Sequence, residues 1–156
     1  MSDSHLGQPI SVHVILGCYG TVQDDSSVTW TFYRILPDGT VDDFILPQGK
    51  VLVVTDVDWN YNSGEVNKLQ TFRIILKVPK KEIRNVIFAS SLPGDKNGSG
   101  GGSVSMTTGF VISNMKILEF NLESGGSLND IIMRGYVTNS PEVKRRIIKI
   151  NRRKSS

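Results

Sequence analysis

Cysteine occurs once, at Cys18, and histidine twice, at His5 and His13. A single cysteine excludes an intrachain disulfide, so the fold does not depend on an oxidising compartment. Two imidazoles and one thiol do not make an ordinary zinc centre without carboxylates. Nor does a motif set a base beside a nucleophile. The chain has no G-x-S-x-G, no P-loop, no H-E-x-x-H, no paired cysteines and no dinucleotide fingerprint. His5 belongs to a terminal stretch, and His13 is read as a solvent-facing residue of the first strand. Cys18, in "LGCYG", is expected at a turn or strand end. Pairing with His13 is conceivable from the spacing, but a buried, inert thiol is the simpler reading. These absences place an enzyme last among the candidate functions.

Long apolar runs are also missing. No segment approaches the ~20 apolar residues of a membrane-crossing helix. The first residues carry no basic run ahead of an apolar one, so no signal peptide is expected. The compartment stays open: cytoplasmic, or exported as a mature chain. Helix signals are equally scarce. "LNDIIM" (128–133) and the stretch from Pro79 to Ile83 each suggest at most one helical turn.

What the chain has is strand rhythm and turn chemistry. Its 156 residues are 38% hydrophobic and 21% charged, with 15 glycines, the profile of one globular domain. Strands are expected near Val12–Leu16, Thr29–Leu36, Val41–Leu46, Val51–Trp59, Leu69–Leu76, Asn85–Ala89, Thr107–Ile112, Lys116–Leu122 and Ile131–Val137. "LPDGT" (36–40) is a hairpin signal, and "LPQGK" (46–50) repeats the device. "DKNGSGGGS" (95–103) reads as a long mobile loop. Short strands at this spacing indicate an all-β fold, a single antiparallel β-sandwich over residues 1–142, with a jelly roll as one form it could take. Trp30, Phe32 and Leu36 share one face of the second strand, with Tyr33 and Ile35 on the other, as in a central strand buried on both sides.

One stretch resembles a metal cage: Asp56, Asp58 and Asn60, spaced two apart after four consecutive branched residues and Thr55. On a strand they share a face, with Val57, Trp59 and Tyr61 opposite. Three oxygens at that spacing suit calcium. An EF-hand loop would need Gly where Tyr61 stands and Glu where Asn67 stands. The competing reading is a solvated strand face, its carboxylates offset by a cation or by a Lys or Arg across the sheet. Arg134, in "MRGYV", is a candidate partner for an acidic strand, and Gly135 beside it suggests a bulge or a close backbone approach.

The candidate ligand site lies on loops at one end of the sandwich: Trp59, Tyr61, Asn62, Glu65, Asp95 and Asn97. Aromatic rings there could stack on sugars, while the competing role for them is to plug the core. Function is therefore expected to be a non-enzymatic binding module for a glycan or cell-surface ligand. The alternative is a self-assembling homo-oligomeric subunit. The third reading is a hydrolase drawing two carboxylates from Asp42, Asp43, Asp56, Asp58, Glu65 and Asp95.

Charge is uneven. Residues 143–156 hold seven basic side chains and no acidic ones: Lys144, Arg145, Arg146, Lys149, Arg152, Arg153 and Lys154. The rest of the chain carries 11 basic and 15 acidic groups, so the net +3 belongs to the C-terminal segment. That segment is a candidate polyanion site, although no nucleic-acid module accompanies it. Ile147, Ile148 and Ile150 are out of place in a plain polyelectrolyte; the segment is read first as an edge strand or solvated tail of the same domain, then as a segment docked on the acidic body of a neighbouring copy, and last as a nucleic-acid contact.

Overall fold

The computed structural model describes residues 11–141 apart from Pro79 and Ser124. Nine antiparallel strands form two packed sheets. They are β1 (Val12–Val22), β2 (Val28–Ile35), β3 (Val41–Asp43), β4 (Lys50–Asn62), β5 (Leu69–Val78), β6 (Ile83–Pro93), β7 (Gly100–Ile112), β8 (Leu118–Leu122) and β9 (Ser127–Asn139). One 3-10 turn, Met115–Ile117, precedes β8. The larger sheet has the order β3-β2-β1-β9-β4-β7 and the smaller β6-β5-β8. The β-sandwich expected from strand rhythm is therefore present. Its six-and-three split does not reproduce the eight-stranded double sheet of a jelly roll.

β4 is the spine of the larger sheet, paired with β9 on one side and β7 on the other. It changes phase midway. Val54 faces Gly135 and Asp56 faces Arg134, so Thr55 is one residue extra relative to β9. A bulge of this kind reverses which side chains point inward. Before it, Leu52 and Val54 enter the core; after it, Val57, Trp59 and Tyr61 do. Thr55 Oγ1 holds the bulge, lying 3.3 Å from the Arg134 carbonyl oxygen and 2.7 Å from Asp56 Oδ2.

The core between the sheets is aromatic at its centre. Phe72 stacks on Trp59 (centroids 5.2 Å apart) and on Phe120 (6.0 Å), and meets Phe88 edge-on at 6.1 Å. Such pairs add about 0.5–1.5 kcal/mol each beyond burial. Leu16, Ile74, Ile112, Ile131 and Met133 fill the space around them.

Several sequence expectations change. The glycine run after Asn97 is not a long loop. Only residues 94–99 turn, and Gly100–Ser103 pair with β4 opposite Tyr61–Asp58. The glycines are there because the sheet leaves no room for a side chain. A Cβ at Gly101 would fall 2.2 Å from the Trp59 carbonyl oxygen, and one at Gly100 would fall 2.7 Å from Tyr61 Oη. "LNDIIM" is strand, within β9, and Cys18 sits mid-strand in β1. The turn at Lys80–Glu82 is not helical, since Lys80 and Glu82 have φ of 70° and 50°. β2 is not central either, lying second from the sheet edge.

Gly135 is the close approach its sequence context suggests. A Cβ there would fall 1.9 Å from the Val53 carbonyl oxygen. Because the obstacle is backbone, relief requires moving β4 against β9. Gly135→Ala is expected to lower unfolding free energy by roughly 1–3 kcal/mol, the usual cost of overpacking, in urea titration. A loss under about 0.5 kcal/mol, ordinary for a surface substitution, contradicts the contact.

Candidate functional site

Three regions carry the chemistry. The first is the acidic strip on the outer face of the larger sheet. Asp56 and Asp58 point away from the core, half-buried, and Asn60 is exposed beyond them. Their partners come from both neighbouring strands. Ser105 and Ser103 on β7 donate to Asp56 and Asp58, and Arg134 on β9 forms an ion pair with Asp58. Asn60 and Asp130 bond through side chain and backbone at 3.2 Å. The Asp56 carboxyl is held below its usual pKa by the Ser105 hydroxyl, then Thr55, with a smaller pull from Arg134. The Asp58 carboxyl is lowered by Ser103 first and by Arg134 second, with Asp56 opposing. The charge offsetting the two carboxylates is a guanidinium. Among the described residues, no three His, Cys, Asp or Glu side chains converge as metal ligands.

The second region is the end of the sandwich where the ligand loops were expected. The structure brings those loops together. The Gly64 N–H donates to the Gly98 carbonyl at 2.8 Å, and the Gly94 N–H to the Lys68 carbonyl at 3.2 Å. Asp95 organises its own turn, accepting from the Asn97 and Ser99 N–H groups at 2.8 and 2.9 Å. Those bonds, Ser99 first, hold its carboxyl below the ordinary range. Asn62, Glu65, Asp95 and Asn97 are exposed, and Glu65 pairs with Lys68. Trp59 and Tyr61 lie beneath, 3% and 1% exposed, stacked on each other at 5.7 Å. Their faces belong to the core, so the loop end presents polar groups without an open aromatic platform.

The third region was not singled out from the sequence. The sandwich is closed on one side, where β6 lies against β7; on the other, among the described residues, β2 meets β8 through Trp30 and Phe32 on Phe120. On that side the sheets part around Trp30. One recess, about 420 Å³, is lined by Trp30, Phe32, Phe44, Leu46 and Met115 among others. A second, about 680 Å³, runs along Lys116–Asn121, from the 3-10 turn into β8, facing Ser26–Val28. Trp30 and Lys116 line both. Trp30 packs edge-on against Phe120 at 4.8 Å, and its Nε1 has no acceptor among the described residues. Among the described residues β8 pairs only with β5, leaving one edge without a strand. The signal in the sequence was Phe44 and Leu46 alternating after a short strand, but only the unequal sheet widths turn them into a groove wall.

His13 and Cys18 fall on opposite faces of β1, so they form no pair. His13 is exposed and lies 6.5 Å from the Tyr136 ring, while the Cys18 thiol is buried and its pKa is pushed up by that burial. Lys144, Arg145, Arg146, Lys149, Arg152, Arg153 and Lys154 lie outside the described residues. No helix among the described residues is long and apolar enough to cross a membrane. No protein-family model matches the chain, and no curated protein or solved structure matches it either.

The Asp56–Arg134–Asp58 arrangement sets a pH dependence. Both carboxyls are lowered in the folded state, so their contribution is present above about pH 4, the unfolded carboxylate pKa. It is lost as pH falls through the lower folded values. Arg134→Met leaves the two carboxylates facing each other, so the variant is expected to be less stable than the native chain at pH 7. The gap should close once both are protonated. Urea titrations across pH measure this, and a gap that persists unchanged at low pH contradicts it. Asp56→Asn with Asp58→Asn is expected to shift Tm equally with and without calcium if Arg134 is the carboxylates' counter-charge; a calcium-dependent shift would assign a cation to Asp56, Asp58 and Asn60.

Proposed function

We propose that this chain is a non-enzymatic binding module that takes an extended, largely apolar polypeptide segment into the groove around Trp30, beside β8. The observation that carries the reading is the coincidence of two features at one place. An aromatic and aliphatic floor of Trp30, Phe44, Leu46 and Met115 lies next to a sheet edge with no strand on it among the described residues. Backbone hydrogen bonds along such an edge supply affinity, and alternate side-chain pockets supply selectivity. A glycan would favour the loop end instead. The covered rings of Trp59 and Tyr61 weigh against that site, because sugar recognition there would need an exposed ring face. Self-assembly is the same chemistry when the segment comes from another copy.

The test uses short uncharged peptides that alternate Ile with Thr. Binding is followed by tryptophan emission on the full chain. It is repeated on a chain whose seven basic residues after Val143 are serine, so that contacts with the basic segment are not read as groove binding. Saturable binding is expected, weakened about tenfold or more, 1.4 kcal/mol, by Phe44→Glu or Met115→Glu. Absence of binding in both chains, or binding indifferent to both substitutions, overturns the reading.

A further inference from the structure

We propose that the segment this groove selects is acidic: an extended polypeptide, apolar at one end, with a Glu or Asp side-chain carboxylate midway along it. The inference rests on the groove being a site for extended polypeptide and names the partner that the site prefers. The two recesses meet at Trp30 and Lys116, which line both. Their chemistry differs on either side of that joint. Phe44, Leu46 and Met115 make the first apolar. The second adds Lys77 to Lys116.

The two lysines stand at the same end of β8. Leu76 pairs with Leu118, so the next residue of β5, Lys77, comes beside the 3-10 turn that carries Lys116. Both side chains are exposed, and neither forms an ion pair among the described residues. The acidic groups of the second recess and its rim are engaged elsewhere. Glu119 pairs with Arg84, and Asp25 accepts from the Ser27 N–H and hydroxyl. Asp43 lines the first recess and not the second. Two cations without a counter-charge favour a carboxylate, which each can meet with a charge-assisted hydrogen bond.

Trp30 adds a second demand for an acceptor. Its Nε1 is buried and has none among the described residues. An indole N–H can only donate, and a buried donor left without a partner is destabilising. A ligand carbonyl passing the joint satisfies it. Cations and donor both lie where the recesses meet, with apolar floor on one side and the β8 edge on the other. The selected carboxylate therefore falls inside the bound segment, as a side chain, and not at a chain terminus.

The experiment uses the native full chain and the chain whose seven basic residues after Val143 are serine. Acetylated and amidated Ile–Thr peptides with a single central Glu or a single central Lys are titrated by tryptophan emission at low salt. The Glu peptide is expected to bind about tenfold more tightly than the Lys peptide in both chains. That ratio should fall toward one in Lys77→Gln with Lys116→Gln, and in salt of about 1 M, where exposed charges are screened. A neutral Ile–Thr peptide should gain nothing from a free terminal carboxylate. Equal binding of the Glu and Lys peptides overturns the inference and leaves the groove reading standing. So does a Glu preference confined to the native chain, which assigns it to the basic segment, or one that survives both lysine substitutions. A gain from the free terminus as large as that from the central Glu also overturns it. Absence of binding by every peptide, the neutral one included, removes both readings.

Discussion

One extra residue in one strand decides the character of both faces of the larger sheet. Side chains alternate along an extended chain, so a strand beginning with Leu52 and Val54 inward would continue with Asp56 and Asp58 inward. Two carboxylates in the aromatic core would cost several kcal/mol each or force protonation. Thr55 prevents this by standing outside the count. After it, Val57, Trp59 and Tyr61 turn to the core, and the carboxylates turn to Ser103, Ser105 and Arg134. The aromatic centre on Phe72 and the polar strip outside are two consequences of one bulge.

The second constraint is unequal width. Three strands cannot cover six. The smaller sheet closes against β7 through β6, so the uncovered part falls on the β2–β3 side. Trp30, Phe44 and Leu46 are then left half-buried at a seam, with Met115 facing them from the turn before β8. Large apolar groups at a seam beside an edge that no strand covers among the described residues invite either a ligand strand or a further stretch of chain.

Legibility from sequence followed the range of the interaction. Turn chemistry is local, and "LPDGT" does form the β2–β3 hairpin, with the Leu36 N–H donating to the Thr40 carbonyl. Alternation is local as well, so the outward Asp56, Asp58 and Asn60 and the inward Val57, Trp59 and Tyr61 could be read directly. Arg134 as the carboxylates' partner and Gly135 as a close approach needed only one neighbouring strand. The bulge was hidden because residues 51–54 are all apolar and show no alternation to interrupt. Gly100–Gly102 looked like a flexible linker because a strand that is glycine for lack of space has the same composition as one that is glycine for freedom. The groove at Trp30 was invisible for a third reason: it exists only between two sheets whose widths no local pattern reports. The expected end-loop residues are adjacent in space, but the competing role weighed for Trp59 and Tyr61, filling the core, is the one they take.

The phase change at Thr55 is tested most directly by deleting that residue and recording thermal unfolding by near-ultraviolet circular dichroism. The account predicts loss of the cooperative transition and of the aromatic signal, because Asp56 and Asp58 would be driven inward opposite Phe72. A deletion variant that melts cooperatively near the native temperature, with its aromatic signal intact, would contradict it.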